Sequence, residues 1–529
     1  MAIVSSGRGP GRLVIIAMAG WMLLTGCGST VAQQTAGSPG GLSGTVPQGA
    51  AGAIGGPAAN GLSTTSANGG GQLATSANGG GTSGANGGGA TSSGGPGSTS
   101  VPTGLGNPQV TAKTISIGIG YVTNGDTANA AIGATGIGQG DPLGEAKAVV
   151  SYINAHGGVA GRKVTPVYHP YDATSTATTS SQDQAACADY TQDHHVFAVA
   201  DSGLTDTLAG CLLKAGVLMV FSGDIINHDN AFFRQFPNYI DAGTLSEDRF
   251  MSEEVQVLQR RSWFSPWDTQ LGQAAAAGTA KVGVLTIDGS YWTRPVHKVL
   301  LPALARAGHP VAASDVVAVT DPQSSSQEGQ TVADIQAAAL RFRSDGVTHV
   351  IFTDPNGLLT LLFSRNAQGQ HYYPRYGVSS GSGMQALVTA GDMDASTLKG
   401  AIGLGWLPSL DLNPPASAHY TTPATAFCLE IMKKAGYTIS GANAEGIALS
   451  TCDELFLLTD VIDRAAPSFT LSSALNAVAR IGATFQEPMA FLSATRHDAL
   501  QEGWDMEWDS NCTCARYLGS GYQIPDVND

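Results

Sequence analysis

Eight side chains in this chain stand where a small polar molecule could be held: Tyr121, Ser202, Thr205, Ser222, Asp224, Tyr291, Asp354 and Ser380. Each lies at or just after a short apolar run that reads as a β-strand. Tyr121 follows ISIGIG, and Ser202 and Thr205 follow Val196–Ala200. Ser222 and Asp224 follow Val217–Phe221. Tyr291 follows VGVLTID, Asp354 follows Ile351–Thr353, and Ser380 follows the short run Tyr376–Val378. Hydroxyls and carboxylates at the carboxyl ends of parallel strands form the ligand crevice of an open α/β sheet. Taken singly, each has a plainer reading as a turn or cap. Ser202, Thr205 and Asp354 all suit a helix N-cap. The set carries more weight than its members.

Nucleotide-binding patterns are missing from the chain. There is no G-x-x-x-x-G-K-[ST] loop. Gly118-Ile119-Gly120 lacks the third glycine of a dinucleotide fingerprint. Asp505, Glu507 and Asp509 alternate with Trp504, Met506 and Trp508, which reads as a strand with one wet and one buried face. His194-His195 is read as structural. No cofactor and no metal site is expected, because Cys512-Thr513-Cys514 alone supplies too few zinc ligands.

The elements that must position these residues begin at Ile115. An Ile-rich strand is followed by a helix from Pro142 to about Ile153, with Leu143, Ala146, Val149, Val150 and Ile153 on one face. The NAHGG segment stops it, since glycine supplies left-handed C-terminal geometry. Lys163 to His169 is the next strand. A strand, helix and strand in this order predict a parallel sheet with a right-handed crossover. Further strands are read at Val196–Ala200 and Val217–Phe221, with Phe232–Phe236 closing the series. A fresh series starts at Val282. It continues through Val311–Val319, His349–Thr353, Tyr376–Val378 and Ala401–Trp406, with helices between. Three helices follow, near Ala416–Ala435, Ala444–Arg464 and Leu471–Ala479. Two βα series imply two doubly wound lobes.

The combination of an early Ile-rich strand, INAHGGVAGRKV and YDATS resembles the type 1 periplasmic solute-binding proteins, the class that includes branched-chain amino acid receptors. YGVSSGSG at Tyr376–Gly383, the helix Ala444–Ala465 and GWDMEWD extend the resemblance over about 112–523. It implies two α/β lobes joined by a multi-strand hinge that close on a small ligand. The lobe limits it implies are 111–237 with 377–485 for the first lobe, and 238–376 with the tail 486–529 for the second. Ser202 falls where that family uses a serine to hold a ligand carboxylate. The family's acidic residue on the return segment is replaced here by Ser379-Ser380, with Asp354 or Asp224 as other sources of charge. An amino acid, an amide, a small acid or a polyol is therefore the expected ligand, an ABC permease the expected partner, and hinge closure the expected mechanism. A ligand-sensing lipoprotein without a transport role is the alternative, and a hydrolase on an α/β scaffold the remoter one.

The amino-terminal residues read as an address and a tether. Arg8 and Arg12 precede an apolar run, Leu13 to Leu24, too short to span a membrane. Leu24-Thr25-Gly26-Cys27 has the form of a bacterial lipobox, so residues 1–27 read as a lipoprotein signal with Cys27 as the acylated residue. Residues 28–110 are almost uncharged and rich in Gly, Ser, Ala and Asn, with SANGGG at Ser66–Gly71 and again at Ser76–Gly81. Such a tract buries too little apolar surface to fold and would reach about 50 Å. The expected location is extracytoplasmic, at the membrane, through a lipid anchor. A net charge of −15 argues against nucleic acid. Six cysteines besides Cys27 suit an oxidising compartment. They allow 15 pairings, and spacing suggests Cys187 with Cys211, Cys428 with Cys452 and Cys512 with Cys514.

Overall fold

The structure is a computed structural model. It describes residues 110–223, 228–353, 356–413, 416–481, 485, 488 and 497–527. Cys27, Asp224 and Asp354 lie outside the described residues.

Two sheets organise the chain. The first contains β1 (Thr114–Thr123), β2 (Lys163–Asp172), β3 (Ala198–Ala200), β4 (Leu218–Phe221) and β5 (Tyr239–Asp241), all parallel, in the order 2-1-3-4-5. The second contains β6 (Val282–Ile287), β7 (Val316–Val319), β8 (His349–Phe352), β9 (Arg375–Ser379) and β10 (Ile402–Gly405), again parallel. Their order, 7-6-8-9-10, repeats the first sheet's winding. An antiparallel hairpin, β11 (Glu502–Asp509) and β12 (Cys514–Gln523), extends this sheet beyond β10. Both windings reverse direction beside their first strand, at β1/β3 and at β6/β8. That is where an open α/β sheet forms its crevice.

The apolar residues explain the layering. β3 and β4 are buried throughout, as continuous apolar runs in a two-sided sheet require. The helix Pro142–Ala155 turns Ala146, Val149, Val150 and Ile153 onto β1 and β2. The long helix Ala442–Ala465 and the helix Leu471–Ile481 pack on the same lobe.

Several expectations are corrected. Phe232–Phe236 is not a strand. Asp229 Oδ1 accepts from the Phe232 amide at 2.9 Å and caps a helix, Asn230–Gln235. The fifth strand comes after it, so the first lobe runs past residue 237 to Asp241. The strands β9 and β10 pair with β8 and β11 and belong to the second sheet, so the stretch from 377 does not return at once to the first lobe. The chain re-enters the first lobe only after Gly405, and the helices that follow pack there. The tail also begins in the first lobe. Asp498 bridges Asp241, and the Ala499 amide donates to Asp241 O at 2.8 Å. Among the described residues the chain therefore crosses between lobes after Asp241, after Gly405 and after Leu500. The expected wet face of β11 is only partly wet. Asp505 is buried and accepts from Arg260 Nε at 2.9 Å and Nη2 at 2.6 Å, and from Arg261 Nε. Buried carboxylates persist when paired in this way. Disulfides join Cys187–Cys211, Cys428–Cys452 and Cys512–Cys514.

The candidate ligand cavity at the carboxyl ends of the first sheet

A cavity of about 110 Å³ opens at the β1/β3 reversal. Tyr121 and Val122 line it from β1, Asp201 and Ser202 from the loop after β3, and Phe221 and Gly223 from the end of β4. Gln139 and Pro142 close one side. Ile447, Ser450, Thr451 and Glu454 form the roof. The spacing of these four is that of one helix face, so the helix Ala442–Ala465 presents one stripe, polar but for Ile447, to the strand ends. A wider cavity of about 460 Å³ lies elsewhere, beside Asn230, Arg249, His497 and Val527. It is away from the β1/β3 reversal, and its buried Arg249 is already bonded to Asp498, Leu500 O and Ile524 O.

Asp201 forms the floor. Its Oδ2 accepts from Tyr190 Oη at 2.8 Å and from Tyr171 Oη at 3.1 Å, and its Oδ1 from the Gly203 amide at 2.8 Å. Burial raises its pKa, and the three donors oppose that rise. The glycines of β1 make this arrangement possible. A Cβ at Gly120 would lie 2.2 Å from Asp201 Oδ2, and one at Gly118 would lie 2.7 Å from the Tyr190 ring. These glycines make room for a buried carboxylate and its phenol partner, which is a different task from cradling phosphate.

The predicted residues divide into five groups. Tyr121 and Ser202 line the cavity. Ser202 is largely buried, and its Oγ donates to Gly203 O at 2.8 Å. Ser222 stands just behind the wall: its amide donates to Glu454 Oε1 and its Oγ to Asp453 Oδ2, both at 3.1 Å. Thr205 and Ser380 serve the fold. Thr205 caps the helix Asp206–Ala215 and donates to Asp183 at 2.6 Å. Asp183 also accepts the amides of Leu204 and Thr205, and burial lifts its pKa to about 7. Ser380 Oγ donates to Asp411 Oδ2 at 2.6 Å and accepts from the Trp406 amide at 2.7 Å, bracing the crossing after Gly405. Tyr291 is buried between the lobes, its ring 5.2 Å from His228 and 5.3 Å from Phe232. Asp224 and Asp354 cannot be placed, being outside the described residues.

Glu454 is the functional candidate that strand-end reasoning passed over, because it lies in the middle of a helix. It is only 8 % exposed, and its pKa is raised by burial and by the nearby carboxylates of Asp201 and Asp453. Among the described residues, no lysine, arginine or histidine lines the cavity.

The second lobe meets the first along the rim. Arg365 donates to Ile132 O at 3.2 Å and to Gly133 O at 3.1 Å. The Gly136 amide donates to Asp392 at 3.1 Å. Ser325 Oγ donates to Ser175 O at 2.8 Å, and the Thr179 amide to Gln323 O at 2.9 Å. Asp229 pairs with Arg294.

Neither a protein-family model nor a curated protein matches the sequence. Solved structures do match. The solute-binding protein of an ABC transporter from R. palustris, in complex with 4-hydroxybenzoate, aligns at a TM-score of 0.54 and 14% identity, over 78% of this chain and 98% of that one. A possible leucine/isoleucine/valine-binding protein from Rhodopirellula baltica aligns at 0.52 and 13%, over 77% and 97%. The branched-chain amino acid transporter substrate-binding protein from Streptococcus pneumoniae, in complex with isoleucine, aligns at 0.51 and 15%, over 77% and 99%. The chain has the two-lobed α/β fold of the type 1 periplasmic solute-binding proteins.

Proposed function

We propose that this chain is an extracytoplasmic solute-binding protein, held at the membrane by a lipid on Cys27, that captures a small polar ligand and presents it to an ABC permease. The observation that carries this reading is the cavity at the β1/β3 reversal, walled by Tyr121, Ser202 and Glu454. Its place is where a doubly wound sheet takes a ligand. Hydrogen bonds along the rim join the second lobe to the first, and ligand-driven closure would add ligand contacts made only in the closed state. The lining favours a ligand that donates hydrogen bonds, such as an amine or amide, over a small acid. Two carboxyl side chains face the cavity, and none of its described lining residues is a cation. The similar solved structures hold ligands as different as isoleucine and 4-hydroxybenzoate, so the ligand here is argued from this cavity alone.

A thermal-shift screen of the fragment from Val110 onward tests the proposal. The panel holds amino acids, amides, amines, small carboxylates and sugars. A ligand at about 100 times its dissociation constant stabilises by about 2.7 kcal/mol, a rise in melting temperature of a few degrees. No rise across the panel from a folded fragment would contradict solute capture.

A further inference from the structure

The turn between β11 and β12 carries Cys512-Thr513-Cys514, closed by a disulfide. We infer that this pair is a thiol–disulfide exchange site, opened and reclosed by an external dithiol while the other two disulfides stay shut. Three observations support this. The first is access: Cys512 is the one exposed cysteine among the described residues, Cys514, Cys187 and Cys211 are half-buried, and Cys428 and Cys452 are fully buried. The second is ring size. The pair is separated by two positions, and each of the others by 24. Loop-closure entropy grows with the length of chain enclosed, so this ring stabilises the fold least and loses least on opening. The third is the backbone. Thr513 is held at φ +55°, a left-handed conformation that a β-branched residue rarely adopts. Opening the ring frees Thr513 to leave it.

The rest of the hairpin is built to survive the change. β11 and β12 are paired through seven residue couples from Glu502↔Gln523 to Asp509↔Cys514, and Arg516 bonds Asp509 at 2.7 Å beside the turn. The exchange itself balances. A thiolate of the dithiol attacks Cys512 Sγ, the Cys512–Cys514 bond breaks, and the electron pair leaves on Cys514 Sγ, which takes up a proton. The second thiol then attacks the mixed disulfide and releases Cys512, and the reductant departs as its own cyclic disulfide. Two electrons and two protons pass from the dithiol to the pair.

The test is a dithiothreitol titration of the full native chain. Thiols are trapped by alkylation at each step and assigned to individual cysteines by peptide mass. Cys512 and Cys514 are expected to be labelled together, at about a tenfold lower reductant ratio than Cys187 and Cys211, with Cys428 and Cys452 last. Removing the reductant and adding an oxidised dithiol should close the pair again. In the C512S/C514S double variant the early labelling should vanish while the circular dichroism is unchanged. Labelling of Cys187 and Cys211 first, simultaneous opening of all three disulfides, or a Cys512–Cys514 pair that opens only in denaturant would each overturn the inference.

Discussion

Replacing Asp201 with alanine removes the acceptor on which the cavity floor depends. Two buried phenol hydroxyls, Tyr190 and Tyr171, and the Gly203 amide all lose their partner. A buried donor left unsatisfied costs about 1–3 kcal/mol, so three such losses set an upper range of about 3–9 kcal/mol. Two effects reduce it. The carboxylate itself is buried, with a raised pKa, so deleting it relieves a desolvation penalty. The loop that carries the Gly203 amide can shift to give it another acceptor. A net loss of about 2–3 kcal/mol remains. Asp201→Asn keeps one acceptor oxygen and the shape, and should lose about 1 kcal/mol. Gly120→Ala should resemble Asp201→Ala, because its Cβ would collide with the same carboxylate. The assay is urea unfolding followed by circular dichroism, with linear extrapolation to water. An Asp201→Ala protein within about 0.5 kcal/mol of the parent would refute the claim that this carboxylate organises the strand ends.

Two further outcomes follow from the same geometry. Burial raises the pKa of Glu145 and of Asp183 to about 7 and that of Asp411 to about 6. The folded chain keeps these protons where the unfolded chain has released them, so stability should fall as pH rises from about 4 to about 7. A pKa displaced by one pH unit is worth about 1.4 kcal/mol, so the drop reaches several kcal/mol; Asp505, whose pKa is lowered, gives up its stabilisation only below about pH 4 and leaves this window unchanged. Urea midpoints that stay constant or rise between about pH 5 and about pH 7.5 would contradict it. Arg365→Ala deletes the bonds to Ile132 O and Gly133 O across the lobes; the radius of gyration from small-angle scattering should increase, and an unchanged value would show that these bonds do not hold the lobes together.

The two windings were legible, save for β5, because most strands announce themselves twice, by a short apolar run and by the helix that returns after it. Tyr121 and Ser202 were reachable for the same reason: a residue just past a strand of a doubly wound sheet must sit at the crevice. Ser380 and Thr205 satisfied the same rule yet serve a hinge brace and a helix cap, because a hydroxyl at a strand end is equally able to bond backbone. What the sequence hid was long-range. Glu454 lies 232 residues from the Ser222 amide it accepts from, and no local pattern distinguishes it from a solvated helix residue. The crossing points were hidden as well. β9 looks like a return strand by its SSGSG ending, but its partner, β8, keeps it in the second sheet.

The most direct test of the cavity as a ligand site is a calorimetric titration of the strongest thermal-shift ligand into the parent, Ser202→Ala and Glu454→Gln proteins. One saturable site is expected in the parent. For an amine ligand, whose cation would hold Glu454 ionised, affinity should fall about tenfold or more in Glu454→Gln, since the amide cannot supply the negative charge, with a smaller loss in Ser202→Ala. Equal affinities in all three proteins would place the ligand elsewhere and contradict capture at this cavity.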